Sequence, residues 1–433
     1  MQRKYRSVIF YIFAILFFVS TPFVLLYANG YRYNAKKSKF EKTGGIIINT
    51  TTKNVSVSVE NNFYGSKTEY RIKNLLPGEY NVKISKSGFF DWQKKLLVES
   101  QLSTFVKDVR LIQNSLPVNV VSATTTDMYA SPDKTKFLYI KKEKNKNLIS
   151  LYDTTSDTTK DIFSSQQPII NIFWSPNNDK IVLQTQNGFQ MMNTNDAKTE
   201  ELPLKTKITS LRWDESNGFL LFAKTADGIY KIDLLFGKAQ KIYTPTKDIN
   251  DFMAFQNYIY LATQSGLEQI DLNNNEMISI PLERAGYKIN SIINKKIFLT
   301  DSKGHLQIFN LPLQKLSTPE LLANAKDFDV LGNEILYYND FELWVYNAGD
   351  GNKQLITRIG EELKKAEWLP GAEYIVFSLE KQIKIIETDE RDARQIYSFP
   401  KFDEISDFMM NKKYSIYFSG KMNSVSGIYK LEI

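Results

Sequence analysis

The sequence predicts an all-β chain carried on one apolar helix, and three observations predict it. Aromatic residues make up 13% of the 433 residues, with 28 Phe and 24 Tyr, a usage that suits pleated, half-buried strands better than helical bundles built on Leu and Ala. One long apolar run without charge stands near the N-terminus, and the chain after it alternates apolar and polar residues between short turn signals. Beyond residue 116 that alternation recurs at a period of about 40 residues.

Composition sets the bounds. A hydrophobic share of 42% is ample for buried cores. The 55 Lys and Arg outnumber 48 Asp and Glu for a net charge of +7. Much of that excess lies beside the apolar run, where Arg3, Lys4, Arg6, Arg32, Lys36, Lys37, Lys39 and Lys42 face Glu41 alone. The remainder is close to neutral and carries no basic stripe, so no nucleic acid is expected as a partner. Cysteine is absent, which excludes disulfides, thiolate metal sites and cysteine nucleophiles together.

From Val8 to Tyr27 the chain reads VIFYIFAILFFVSTPFVLLY, about 20 uncharged residues, which at helical rise match the roughly 30 Å hydrocarbon core of a bilayer. A cleavable leader has a shorter apolar region ending in small residues, whereas this run is bulky and Tyr27-Ala28-Asn29-Gly30 is a poor cleavage site. An uncleaved single-pass anchor in the cell membrane over residues 1–30 is therefore expected, with a juxtamembrane linker over 31–43. Pro22 is tolerated inside such a span because neighbouring groups satisfy the freed carbonyl. Basic residues flank both ends and divide the positive-inside rule. The expected orientation keeps the N-terminus cytoplasmic and the C-terminal domains extracytoplasmic.

Residues 44–113 follow as a small β-sandwich. Ile46-Ile47-Ile48, then Val55, Val57 and Val59, then Tyr80, Val82 and Ile84 form apolar runs, and Tyr64-Gly65-Ser66, Leu76-Pro77-Gly78 and Ser87-Gly88 supply the turns between them. These residues resemble a PEGA domain, a bacterial surface β module. The resemblance rests on the opening Gly44-Gly45-Ile46-Ile47-Ile48-Asn49-Thr50-Thr51, on Asn74-Leu75-Leu76-Pro77-Gly78-Glu79-Tyr80-Asn81-Val82-Lys83-Ile84, and on Lys86-Ser87-Gly88-Phe89-Phe90-Asp91-Trp92. The literal four-letter signature is missing, and Pro77-Gly78-Glu79-Tyr80 stands in its hairpin region. It implies no ligand. Trp92, with Phe89 and Phe90, has two readings, a sugar-stacking platform or the filling of a small core, of which the core is the simpler. Phe63 and Tyr64, adjacent beside a Gly turn where only one can easily point inward, are the better candidates for an exposed contact patch. The candidate ligand contacts are thus Phe63, Tyr64 and Trp92.

The region 116–433 repeats a four-stranded unit of the length of one propeller blade. Tyr129-Ala130-Ser131-Pro132-Asp133, Phe173-Trp174-Ser175-Pro176-Asn177, Leu211-Arg212-Trp213-Asp214 and Glu367-Trp368-Leu369-Pro370-Gly371 each precede an apolar strand. Eight units open near Asp127, Ile170, Ile208, Ile249, Ile289, Asp327, Lys365 and Ile405; merging two weak repeats would make seven. The last unit has three strands, and an unpaired edge is a liability, so Val118-Asn119-Val120-Val121 is expected to close the propeller. The Ser-Pro-Asp turns resemble those of TolB-like and WD40-like propellers, a resemblance that specifies fold and little more.

Catalytic chemistry finds no foothold. His305 is the single histidine, and Asp301 and Ser302 beside it lack a nucleophile elbow. No EF-hand loop and no phosphate-cradling Gly-rich loop occurs. Asp389, Glu390 and Asp392 beside Arg391 and Arg394 read as a solvated loop of mixed charge. The expectation is a non-enzyme without catalytic residue, metal or cofactor: a membrane-tethered binding protein for an envelope protein or cell-wall glycan. A scaffold for envelope assembly is the alternative, and a propeller enzyme using carboxylates is a weaker one.

Overall fold

A computed structural model describes residues 3–65, 69–123, 127–143, 146–284, 286–322, 324–371 and 373–433. Two compact units emerge. One holds Met1–Ser115 together with Ile386–Tyr397 and Ile433, and the other Leu116–Ile385 with Ser398–Glu432.

The first unit opens with a helix, Arg3–Ala28, whose stretch Val8–Ala28 is long and apolar enough to cross a membrane. Pro22 lies inside it, and the hydroxyl of Thr21, the residue just before it, donates to the Phe17 carbonyl at 2.6 Å, a local bond of the kind that eases a proline in a helix. The helix stops at Asn29 and Gly30: the Asn29 amide donates to Leu25 O at 2.8 Å, and Gly30 turns left-handed at φ 79°, a conformation glycine adopts without Cβ strain. A hairpin of Tyr31–Asn34 and Lys39–Lys42 follows. Asn34 shapes its turn, accepting from Lys36 N at 3.1 Å and Lys37 N at 3.3 Å. Asn34 and Lys39 also hold the Glu41 carboxyl down at about 2.

The sandwich has a three-stranded sheet, with Gly44–Thr50 between Glu69–Leu75 and Ser103–Val109, and a four-stranded sheet ordered Asn62–Gly65, Ser56–Val59, Gly78–Ser85, Trp92–Val98. Strict alternation turns Ile46, Ile48, Val57, Val59, Val82 and Ile84 into one shared core, as a period of two requires when one face of each sheet is covered. Trp92 joins that core at 1% exposure.

The second unit is a β-propeller. Among the described residues its strands form six four-stranded sheets and one of eight strands, the last being two four-stranded sheets joined by the parallel pair Asp214 and Ala254. Consecutive sheets stack through apolar faces. Leu138, Ile149 and Ile181 belong to one such layer, Val182, Leu211 and Trp213 to the next. The ring closes by the same physics. Val118–Val121 pairs antiparallel with Val425–Glu432, and that sheet packs on the first through Ile428, Tyr417, Phe137 and Tyr152. The aromatic-Ser-Pro turns are closed by their serines: Lys136 N donates to Ser131 Oγ at 3.0 Å and Lys180 N to Ser175 Oγ at 3.1 Å. The aromatics do more than pack, because the Trp174 indole donates to Tyr129 O at 2.9 Å and the Trp213 indole to Phe173 O at 3.2 Å, each reaching the preceding sheet.

Candidate functional site

The innermost strand of several sheets begins with a branched apolar residue, a spacer and a polar residue. At Ile169/Asn171, Ile249/Asp251, Ile289/Ser291, Leu363/Lys365 and Ile405/Asp407 the pairing register slips. A bulge leaves a backbone N–H without its ladder partner. Asn171, Asp251 and Asp407 accept that N–H from the following residue at 2.8, 2.9 and 2.8 Å; Asp329 accepts Val330 N at 2.9 Å in a strand whose register does not slip. Carboxylates therefore reach the axis for a backbone reason.

Cations neutralise them there. Lys365 Nζ lies 2.9 Å from Asp407 and 3.2 Å from Glu367, and Lys134 Nζ 2.7 Å from Glu367. Arg212 meets both oxygens of Asp251 at 3.0 and 2.9 Å. Lys134 belongs to the first sheet and Glu367 to the seventh, so their bond skips the closing sheet, which only groups near the axis can do. Burial works against the Lys365 ammonium, yet Glu367 and Asp407 outweigh it and push its pKa up. Burial likewise opposes ionisation of Glu367, but Lys365 and Lys134 hold its carboxyl below the usual range. At Asp329 and Asp407 burial prevails and raises both carboxyls.

A groove of about 690 Å³ opens on the edge where the inner strands begin, at the hairpin between Lys180–Thr185 and Gly188–Asn193 and the loop leading to the next sheet. Gln184, Gln186, Asn187 and Gln190 line it beside the half-buried Phe189 and Leu204. None of these four side-chain amides makes a hydrogen bond among the described residues. Each amide both donates and accepts, without charge. A second groove on the same edge, of about 700 Å³, is lined by Lys303, Lys326, Asp340 and Phe341; Lys326 and Asp340 already pair at 2.7 Å.

The residues singled out from sequence fall elsewhere. Trp92 offers no free ring face: it is buried, and its indole donates to Glu387 at 3.2 Å. Core packing, not sugar stacking, is its place. Phe63 is 66% exposed and Tyr64 is also exposed, both on the edge strand Asn62–Gly65. His305 Nδ1 lies 3.0 Å from Asp301, but the same carboxylate accepts Lys303 N and His305 N at 2.9 Å each. Against burial, Arg284 and these backbone donors hold the Asp301 carboxyl well below the usual range. The arrangement is that of a capped turn.

The segment 389–394 is a loop of mixed charge with Glu390, Arg391 and Asp392 exposed, as expected, and its backbone has a further role that the expectation left out. Trp92–Val98 alternates buried and exposed residues, and Lys94 occupies an inward position at 0% exposure. Within the first unit its ammonium lies 2.9 Å from Asp389 O, 2.6 Å from Arg391 O, 3.4 Å from Ala393 O and 3.3 Å from the Glu387 carboxylate. Asp392 accepts Lys95 N at 2.8 Å, and Gln395 donates to Gln93 O at 2.7 Å. A buried ammonium must be fully hydrogen-bonded, and this segment is folded around it. Burial raises the Glu387 carboxyl, with Lys94 opposing. The signal was present in Trp92-Gln93-Lys94-Lys95-Leu96-Leu97-Val98, where a lysine stands in an apolar register.

The two folds define a class, a chain that joins a small β-sandwich module to a β-propeller. Residues 43–113 match the PEGA domain. Among solved structures the chain is similar to the Dos1 propeller, at 11% identity and a TM-score of 0.52 over 73% of this chain and 94% of that one. It is also similar to Saccharomyces cerevisiae Sqt1, at 10% identity and a TM-score of 0.50 over 74% of this chain and 100% of that one. BamB from Moraxella catarrhalis aligns at 10% identity and a TM-score of 0.47 over 73% and 99% of the two chains. At such identities the likeness concerns the propeller fold alone. No curated protein matches the chain in sequence.

Proposed function

We propose that this chain is a membrane-tethered extracytoplasmic binding protein whose propeller edge recognises a neutral cell-wall glycan. The observation that carries the reading is the groove at Gln184, Gln186, Asn187 and Gln190, where four unpaired amides stand beside Phe189. Sugar hydroxyls both donate and accept, as primary amides do, and the carbohydrate C–H face packs on an aromatic ring. Its volume of about 690 Å³ suits a short oligosaccharide. The apolar helix Val8–Ala28 supports the tether, and the PEGA domain supports an extracytoplasmic C-terminal side with a cytoplasmic N-terminus. The reading includes no catalysis: the carboxylates of the inner strands are tied to Lys365, Lys134, Arg212 and backbone N–H groups, which favours a structural role for them.

The test is binding of solubilised cell-wall glycan to the full chain in nanodiscs. Saturable binding is expected, weakened roughly thirtyfold when Gln186 and Gln190 are both replaced by Ala, since two lost hydrogen bonds at about 1 kcal/mol each sum to about 2 kcal/mol. Absence of saturable binding, or binding indifferent to those residues, sinks the reading. A scaffold for envelope assembly is the second reading, and the exposed Phe63 and Tyr64 on the edge strand Asn62–Gly65 favour it, because an unpaired sheet edge can accept a partner's strand. Stable protein complexes without glycan binding would point to it.

A further inference from the structure

The hairpin Tyr31–Asn34 and Lys39–Lys42 divides its residues between two faces. Its register sets Tyr33 opposite Phe40 and Tyr31 opposite Lys42, so Tyr31, Tyr33 and Phe40 share one face with Lys42 at its edge, where the ammonium lies 5.5 Å over the Tyr31 ring, while Arg32, Asn34, Lys39 and Glu41 share the other. The aromatic face is open: Tyr33 is 55% and Phe40 42% exposed. It also continues the helix, because Phe23 meets Phe40 with ring centroids 6.3 Å apart and Phe40 meets Tyr33 at 5.4 Å.

Several bonds pin the hairpin to the helix end. Arg32 lies 3.5 Å over the Tyr27 ring and donates to Tyr27 O at 2.9 Å. Thr43 N donates to Gly30 O at 2.9 Å. An exposed aromatic face held rigidly against an apolar helix is costly in water, whereas Tyr and other amphipathic aromatics are favoured where a bilayer meets water.

Charge specifies the lipid. Residues 31–42 carry five cations, Arg32, Lys36, Lys37, Lys39 and Lys42, against one carboxylate, Glu41. Lys37 and Lys39 are engaged by Glu41 at 3.3 and 3.0 Å, and the net excess remains. Basic residues beside an anchor are drawn to anionic headgroups.

We infer that this hairpin is an interfacial module that lies in the headgroup layer of an anionic bilayer, its Tyr31, Tyr33 and Phe40 face toward the acyl chains and its lysines on lipid phosphates. The inference rests on the helix spanning a membrane. It accounts for basic residues on both flanks of the anchor: those on the C-terminal flank serve lipid binding at the outer surface.

The chain has no cysteine, so single cysteine variants carry one nitroxide each. Full-length Leu16→Cys, Ala35→Cys, Phe40→Cys and Leu316→Cys are reconstituted in phosphatidylcholine vesicles with and without phosphatidylglycerol, and label access to oxygen and to a nickel chelate is read. Position 316 reports water and position 16 the acyl region. Positions 35 and 40 are expected to be shielded from nickel severalfold relative to 316, more so with phosphatidylglycerol. Replacing Lys36 and Lys42 by Gln in the Phe40→Cys background is expected to remove that lipid dependence. Water exposure at both 35 and 40 while 16 remains in lipid overturns the inference alone. Water exposure at 16 as well overturns the membrane reading beneath it. Shielding that ignores phosphatidylglycerol and the lysine changes overturns the anionic lipid assignment. The Ala35→Cys variant leaves the aromatic face intact and keeps the test decisive if Phe40→Cys folds poorly.

Discussion

Lys94 shows how one side chain can organise residues far away in sequence. Its ammonium is surrounded by the carbonyls of Asp389, Arg391 and Ala393 and by the Glu387 carboxylate, so desolvation is compensated by bonds to nearly every donor it has. Removing one partner of a buried ion pair strands the other. Lys94→Met is therefore expected to destabilise the first unit by about 3–5 kcal/mol, read by urea unfolding. Adding Glu387→Gln should recover part of the loss, because the stranded charge is gone and the one amide oxygen can still accept from either the Trp92 indole or Gln395 N–H, which bond separate oxygens of the carboxylate. A loss below about 1 kcal/mol, or strictly additive effects of the two changes, would show that the carbonyl cage contributes little.

The inner strands repeat one device in different chemical surroundings. Trp174 and Trp213 bond the carbonyl of a residue on the preceding sheet. Trp368 stands in the corresponding place, but its indole N–H is buried with no partner among the described residues, and it is its backbone N–H that donates to Asp329 at 2.8 Å. Trp213→Phe should cost more than Trp368→Phe by about 1 kcal/mol, since both lose similar packing while only the first loses a hydrogen bond. Thermal unfolding of the two variants measures the difference, and equal losses would remove the indole bond from the account. The bulges follow the same principle. A slipped register frees an N–H, and at Asn171, Asp251 and Asp407 the side chain that accepts it is selected by the backbone rather than by a ligand.

The propeller depends on closure of its ring. Val118–Val121 supplies the outer strand of the last sheet, and Gly427 permits its approach, because a Cβ at that position would collide with the Val121 carbonyl. Gly427→Ala should loosen the closing strand at a cost of about 1–3 kcal/mol and expose two sheet edges. Edge pairing between molecules would follow, visible as a lower unfolding midpoint and a shift to oligomers by sedimentation of the solubilised chain. A variant that stays as stable and as dispersed as the parent would show closure to be dispensable.

What local patterns could carry was legible in the amino-acid sequence. The Val8–Tyr27 apolar run, the period-two alternation over 44–113, and the recurrence of aromatic-Ser-Pro turns are properties of contiguous residues, and hydrophobic periodicity reports directly on which face of an element is buried. Those patterns were sufficient for the all-β class, the PEGA domain and the propeller. The partner of Lys94 was not legible, since Asp389, Arg391 and Ala393 lie about 295 residues away and contribute backbone carbonyls, which every residue type possesses. The rim groove escaped for another reason: its four amides stand close together on one hairpin, but glutamine and asparagine carry no signature until folding leaves them unpaired beside the loop at 201–209. Periodicity follows from bonding along the chain, whereas bonding across it depends on where distant segments come to rest.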